Sequence, residues 1–274
     1  MMKWRHILAW FDRPLRKNTI VIERYKIESV IGMGSYGFTY KVVDLQNHEV
    51  KVLKQLRQSK QKSESGRESF VREQQILKNL QHPAIPSLYD HFVWKKQPFF
   101  VMEYMAGENF EDFIFRDGYI YEEREAFYIL YKILEVVSYI HSQGIIHRDL
   151  RIPNILMSGS SIHIVDFGLA RYKGDIDERA GFYEGEQAFM REVEHRSDFY
   201  ALGHFILFLL YASYESNDKV EKPWHEELLL AEGNKEIIMR MLQMKRPYYE
   251  NVQELKQDIY FALEEMGDLC FKNF

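Results

Sequence analysis

The sequence predicts an α+β fold of two lobes, a β-rich part first and a helical part second. Three observations carry that expectation. At 274 residues, with domains commonly built from roughly 100–200 residues, the chain has room for one large domain or two modest lobes. Between Tyr25 and Tyr104, β-branched and aromatic residues run in short segments punctuated by glycines and polar turns, the texture of strands. After Gly107, apolar positions recur at helical spacing, most clearly over 122–142 and 197–212. No internal repeat or long linker interrupts the chain. We therefore expect a basic extension over 1–19, a first lobe over 20–105 and a second over 106–274, with the seam near Met105–Gly107.

Taken in order, the elements begin with a basic tip. Lys3, Arg5, Arg13, Arg16 and Lys17 against Asp12 make residues 1–17 net +4, so the total of −5 leaves −9 on the rest. Trp4, Ile7, Leu8, Phe11 and Leu15 share one face of a helix ending near Pro14 or just beyond. Such a helix suits an anionic membrane surface or docks on the protein's own surface. It lacks the cleavage site and continuous apolar core of a signal peptide. Strands follow from Tyr25 to about Leu56, broken by the turn-like Asp44-Leu45-Gln46-Asn47. Residues 57–68, with Ser59, Ser63, Ser65 and Gly66, read as a loop. A helix from about Ser69 to Leu80 stops before His82-Pro83, and strands return over Leu88–Trp94 and Phe99–Tyr104. The apolar run from Phe199 to Ala212, interrupted by Gly203 and His204, is shorter than the ~20 residues that span a bilayer and reads as a buried helix.

Composition narrows the class without naming a chemistry. The 46 % hydrophobic and 28 % charged content is ordinary for a soluble globular chain. The single cysteine, Cys270, excludes an internal disulfide framework and a Cys-rich zinc site, and fits a reducing, cytoplasmic setting. The acidic body argues against nucleic acid as a partner.

Chemistry first surfaces at Gly32-Met33-Gly34-Ser35-Tyr36-Gly37. In a dinucleotide-binding fold such glycines open a helix. Here the strand-like Phe38-Thr39-Tyr40-Lys41-Val42-Val43 follows, so the glycines belong to a hairpin whose backbone N–H groups can close over phosphates. Alone, the motif also reads as a hairpin without ligand. In Val50–Leu56, the strand period of two puts Val50, Val52, Lys54 and Leu56 on one face, and Glu49, Lys51 and Gln55 on the other. Lys54 is then the lysine on the apolar face, where an ammonium needs a partner. On the next helix Phe70, Glu73, Leu77 and Leu80 share a stripe opposite Glu68, Arg72, Gln75 and Asn79. A Lys54–Glu73 pair satisfies both groups, either as a structural ion pair or as one that leaves the ammonium within reach of an anion.

His147-Arg148-Asp149-Leu150-Arg151-Ile152-Pro153-Asn154 and Asp166-Phe167-Gly168 each sit between β-type runs, which places them on loops at strand ends. In this order and spacing the pieces closely resemble the signature set of the eukaryotic-type (Hanks-type) protein kinases, the small bacterial serine/threonine kinases in particular. The resemblance runs from about Tyr25 to the C-terminus. It implies the two-lobed kinase fold, transfer of the γ-phosphoryl group of ATP to Ser/Thr hydroxyls of a protein substrate, and Mg2+ as cofactor. Gly32, Gly34 and Gly37 match the loop over the phosphates, and Lys54 with Glu73 matches the lysine–glutamate pair. Asp149 matches the catalytic base, Arg151 the cation two residues beyond it, and Asn154 and Asp166 the magnesium ligands. Val52 matches an adenine contact, Met102 the gatekeeper, and the backbones of Glu103 and Met105 the adenine-binding hinge. Leu77, His147 and Phe167 resemble members of the hydrophobic column that couples the lobes. Asp198 resembles the buried helix aspartate under the catalytic loop, and Arg246 the late structural arginine.

The match departs from the family's pattern in four places. Thr39 and Val52 stand where valine and alanine are usual. Arg151 stands where serine/threonine kinases carry lysine, and an arginine still clamps phosphate through its planar fork while opening the choice between Ser/Thr and Tyr acceptors. Ala-Pro-Glu is not recognisable, and Glu186 is the candidate for its glutamate, paired with Arg246. The chain has two threonines, Thr19 and Thr39, and no Ser or Thr between Asp166 and Glu186. Arg148 therefore has no phosphothreonine to meet, and Asp175, Asp177, Glu178 or Glu184 is expected to supply a fixed charge, with activity independent of Ser/Thr phosphorylation there. Tyr172 and Tyr183 are the remaining hydroxyls of that segment. Two readings compete with an active protein kinase: a nucleotide-binding pseudokinase or scaffold, favoured by the eroded docking segment, and a small-molecule kinase on a related fold.

Overall fold

The computed structural model describes residues 12–34, 36–178, 180–212, 214 and 222–267. The chain divides into two units between Met105 and Ala106.

The first unit is one antiparallel sheet with helices. Its strands are β1 (Ile20–Val21), β2 (Tyr25–Met33), β3 (Gly37–Asp44), β4 (Val50–Leu56), β5 (Leu88–Trp94) and β6 (Gln97–Glu103), in the order β1-β2-β3-β4-β6-β5. The Asp44–Asn47 turn forms with Asp44 Oδ1 accepting from the Gln46 N–H at 3.1 Å, the local bond that makes aspartate a turn former. One face of the sheet buries Tyr25, Ile27, Phe38, Tyr40, Val42, Leu53, Phe99 and Val101. The other lies under a helix whose Phe70 ring sits 5.0 Å from that of Phe100.

Being central, β4 is covered on both faces, which corrects the polar face expected for it. Lys51 and Gln55 are buried. Lys51 donates to Asp44 at 2.8 Å, and Gln55 accepts from the Tyr40 hydroxyl at 2.6 Å. Strand alternation assigned the faces, but the burial of both depended on chain remote in sequence. That chain includes the tip: Leu15 packs on the core and its N–H donates to the Tyr40 hydroxyl at 3.0 Å. Trp4, Ile7, Leu8 and Phe11 of the expected tip helix, and Cys270, lie outside the described residues. Residues 12–16 are irregular rather than helical, with Asp12 accepting from the Ser59 N–H and hydroxyl at 3.2 and 2.5 Å.

The loop expected over 57–68 is also corrected. A short helix α1 (Gln58–Gln61) precedes α2 (Glu64–Asn79), which starts five residues earlier than the apolar period indicated. Its N-cap is Ser63, whose hydroxyl accepts from the Gly66 N–H. Serine is a strong N-cap and a poor interior residue, so the same serines that read as loop announce a helix start.

The second unit is mainly helical. It holds β7 (Glu108–Asn109), α3 (Phe110–Phe115), α4 (Glu123–Ser142), β8 (Ile145–Ile146), β9 (Ile155–Ser158), β10 (Ser161–Ile164), β11 (Arg171–Tyr172), α5 (Glu186–Arg191), α6 (His195–Tyr211), α7 (Trp224–Glu227), α8 (Glu232–Met241) and α9 (Val252–Glu265). A capping box between Glu122 and Glu125 opens α4, satisfying two of the orphan N–H groups of a helix start. Helix α6 is buried along most of its length, as a helix that is apolar all round must be. The short strands pair as β10-β9-β7 and β11-β8, and the loops between them carry the polar motifs.

Candidate active site

In the first unit, β4 and α2 present Lys54 and Glu73 to each other. Their Nζ and Oε1 are 2.6 Å apart, with 8 % and 2 % of each residue exposed. Breaking such a pair by removing one partner costs about 3–5 kcal/mol, because the other charge stays buried. Strand pairing sets Thr39 beside Lys54 on one side and Phe100 on the other, and aligns Val52 with Met102. Val52, Met102 and Met105 are buried. Glu103 donates its N–H to the Ser87 carbonyl at 2.9 Å, and its carboxylate accepts from the Ser87 N–H at 3.2 Å. These two bonds tie Glu103 to Ser87 where the chain leaves the sheet.

The glycines of the β2–β3 hairpin have different reasons. A Cβ on Gly37 would stand 2.6 Å from the Gln55 carbonyl oxygen, so close strand approach requires glycine. Gly32 is tight against Thr39, at 3.3 Å. Gly34 would meet only the Gly37 carbonyl, at 3.9 Å. Packing does not require a glycine there.

In the second unit, the loop after β8 is suspended from α6. Asp198, fully buried, accepts from the His147 N–H at 2.9 Å, the Arg148 N–H at 2.7 Å and His141 Nε2 at 2.8 Å. Burial by itself pushes this carboxyl up, but the His141 bond and the charge and N–H of its neighbours hold it below the usual carboxylate range. These bonds also retain Arg148 at φ 64°, a left-handed conformation that a long side chain adopts only when its surroundings compel it. Burial keeps His147 below the ordinary imidazole value, and its ring meets Phe167 edge to face at 4.7 Å. Leu77, the third residue of the expected column, is buried in the first unit.

Asp149 stands at the centre of this loop. Its Oδ2 accepts from Asn154 Nδ2 at 2.9 Å, and its Oδ1 faces Arg151 Nε at 3.1 Å and an Arg191 guanidinium nitrogen at 3.2 Å. Asn154 Nδ2 also donates to the Asp149 carbonyl. With the amide nitrogen so committed, the asparagine presents its oxygen as its remaining polar atom. Asp166, exposed and at φ 60°, accepts from the Gly168 N–H at 3.2 Å. Two hard oxygen donors of this kind suit magnesium, which takes one or two protein oxygens and completes its shell with phosphate and water. Among the described residues no group of three His, Cys, Asp or Glu forms a closed metal cage.

Of the four acids named for Arg148, the structure selects Asp177. The Arg148 Nη2 and Asp177 Oδ2 are 2.5 Å apart, both side chains buried, and the Tyr183 hydroxyl donates to the same oxygen at 3.2 Å. Glu186 does not meet Arg246. It opens α5, and its charge acts on Tyr200 and His204. Arg246 lies 5.2 Å over the Tyr248 ring and lines, with Glu194, a cleft of about 910 Å³. Arg191 was missed altogether. Nothing in the local pattern of Met190-Arg191-Glu192 marks it, since its partners lie 42 and 43 residues away.

A family model for the protein kinase domain matches residues 25–261. Among curated proteins, a probable serine/threonine-protein kinase, YbdM, of Bacillus subtilis is 34 % identical over 93 % of this chain and 96 % of its own length. Serine/threonine-protein kinase B of Synechocystis is 30 % identical over 89 % of the chain and 47 % of its own length. PknB of Mycolicibacterium smegmatis, another serine/threonine-protein kinase, is 32 % identical over 66 % of the chain and 31 % of its own length.

Proposed function

The chain belongs to the protein kinase family, and from that premise we propose that it transfers the γ-phosphoryl group of ATP to Ser/Thr hydroxyls of proteins. The observation that carries this reading is the bonding of Asp149, whose carboxylate is fixed on one side by Asn154 and on the other by two guanidinium groups. A carboxylate so oriented can align an acceptor hydroxyl and take its proton. Phosphoryl transfer is mostly positioning and charge stabilisation, so fixed geometry is what the reaction demands.

The remaining roles follow from chemistry. The Lys54 ammonium, held by Glu73, binds phosphate oxygens, and the backbone N–H groups around Gly32, Gly34 and Gly37 cover them. Val52 and Met102 pack on the adenine, and the backbones of Glu103 and Met105 read its edge. Asn154 Oδ1 and the Asp166 carboxylate would hold magnesium, which neutralises charge developing on the phosphates. Arg151 steadies the transferred group through its planar fork. The names of the relatives support Ser/Thr over Tyr as acceptor.

The buried Arg148–Asp177 pair supports a further point. A carboxylate already occupies the position at Arg148 that a phosphothreonine would fill, so the enzyme is proposed to work without Ser/Thr phosphorylation of residues 166–186.

Labelled ATP with magnesium, a generic protein acceptor and an Asp149→Asn control tests the assignment. The expected result is label on serine and threonine with wild type and none with Asp149→Asn. Nucleotide binding without transfer would favour the scaffold reading, with ATP at ~100 times its Kd still stabilising by about 2.7 kcal/mol. Label on a small molecule alone would favour the third.

A further inference from the structure

Arg191 ends α5 and reaches back to the loop that holds Asp149. One of its guanidinium nitrogens donates to the Arg148 carbonyl, and the other to Asp149 Oδ1 at 3.2 Å. In return its own carbonyl accepts from Arg148, at 2.9 Å from Nε and also from Nη2. Arg148 in turn pairs with Asp177. The result is a continuous chain of charged hydrogen bonds, Asp177 to Arg148 to Arg191 to Asp149. The Arg191 side chain is 15 % exposed, whereas the Arg151 side chain on the same carboxylate oxygen is 64 % exposed.

We propose that Arg191 is a positioning residue for Asp149, and that Asp177 acts on the reaction through it. The proposal rests on the reading of Asp149 as the base. Its physical basis is the planar fork of arginine, which satisfies a carbonyl and a carboxylate at once where a lysine reaches only one point. The solvated Arg151 is left to meet the transferred phosphate. The partly buried Arg191 takes the orienting role and makes it depend on the acid at position 177. An alternative occupancy of the same contact, a guanidinium that blocks the acceptor, predicts the opposite sign of effect.

The test uses full-length Arg191→Ala and Arg191→Lys, Asp177→Asn, the Asp177→Asn/Arg191→Ala double variant, and Asp149→Asn as control. Arg191→Ala is expected to lose about 100-fold in kcat, the scale of a roughly 1 Å misplacement, with KM for ATP within twofold. Millimolar guanidinium should restore part of that loss, and Arg191→Lys, which keeps charge and fold, should fall between. The Asp177→Asn effect on kcat should vanish in the Arg191→Ala background, as for residues acting in series. An Arg191→Lys enzyme with wild-type kcat, an Arg191→Ala enzyme faster than wild type, absence of guanidinium rescue in a folded Arg191→Ala protein, or additive loss in the double variant would each overturn the proposal. An Asp149→Asn protein as fast as wild type would instead overturn the base assignment, and this inference with it.

Discussion

Lys54 and Glu73 pose the sharpest question at the scale of single residues, because a buried ion pair has both a structural and a chemical reading. The two separate when both partners are changed. Removing one leaves a buried charge, whereas replacing both by apolar residues of similar volume is often neutral or stabilising. Lys54→Met/Glu73→Leu is therefore expected to keep Tm within a few degrees of wild type and to lose ~100-fold or more in turnover, since the phosphate anchor is gone. Saturating Mg-ATP assays beside thermal unfolding check this. Wild-type turnover in the double variant would make the pair structural only. Lys51, on the other face of the same strand, and its partner Asp44 at the end of β3 are an internal comparison: equally buried, they carry no proposed role in transfer.

At the scale of elements, period and punctuation decided what was legible. Helices α4 and α6 announced themselves through long apolar periods, and the contact of Lys54 with Glu73 followed from combining a period of two with one of 3.6. The start of α2 was misread because Ser63 caps a helix with the same residue type that populates loops. The covered outer face of β4 was misread because Leu15 and Trp94, which help cover it, are distant in sequence. Over 166–194 the elements are short, β11 and α5, and the contacts around Arg148 are set by single charged side chains. Four acids were equivalent on paper, and only folding brought Asp177 to Arg148. Asp177→Ala should therefore strand a guanidinium that is 1 % exposed as a residue. The expected cost is about 3–5 kcal/mol of stability, together with reduced turnover, read by denaturant unfolding and phosphotransfer. An Asp177→Ala protein matching wild type in both would remove Asp177 from the account.

At the scale of the whole molecule, acid stability reports on the buried polar groups together. Burial holds His147, His195 and His204 below the ordinary imidazole value. A group whose pKa is depressed on folding contributes stability above its unfolded value, near 6.5, and loses it as pH falls. Asp44, held down first by its bond to Arg24, and Asp198, held down by His141 against its own burial, behave likewise from about pH 4 downward. Tm should thus decline between pH 7 and 5, and again below 4. Exchange of His204 for Phe should flatten the first decline, and a Tm constant from pH 7 to 5 in wild type would contradict these burial assignments. None of the described helices is long and apolar enough to cross a membrane.

The central claim is an active kinase whose activation segment carries its own charge. It is tested most directly by stripping the purified protein with a phosphatase, confirming by intact mass that no phosphate remains, and measuring the initial rate of label transfer from Mg-ATP to a protein acceptor. The account predicts an initial rate equal to that of untreated enzyme, without a lag, and none from Asp149→Asn. A stripped protein that is inactive until a residue in 166–186 is phosphorylated, Tyr172 or Tyr183 being the hydroxyls there, would contradict it.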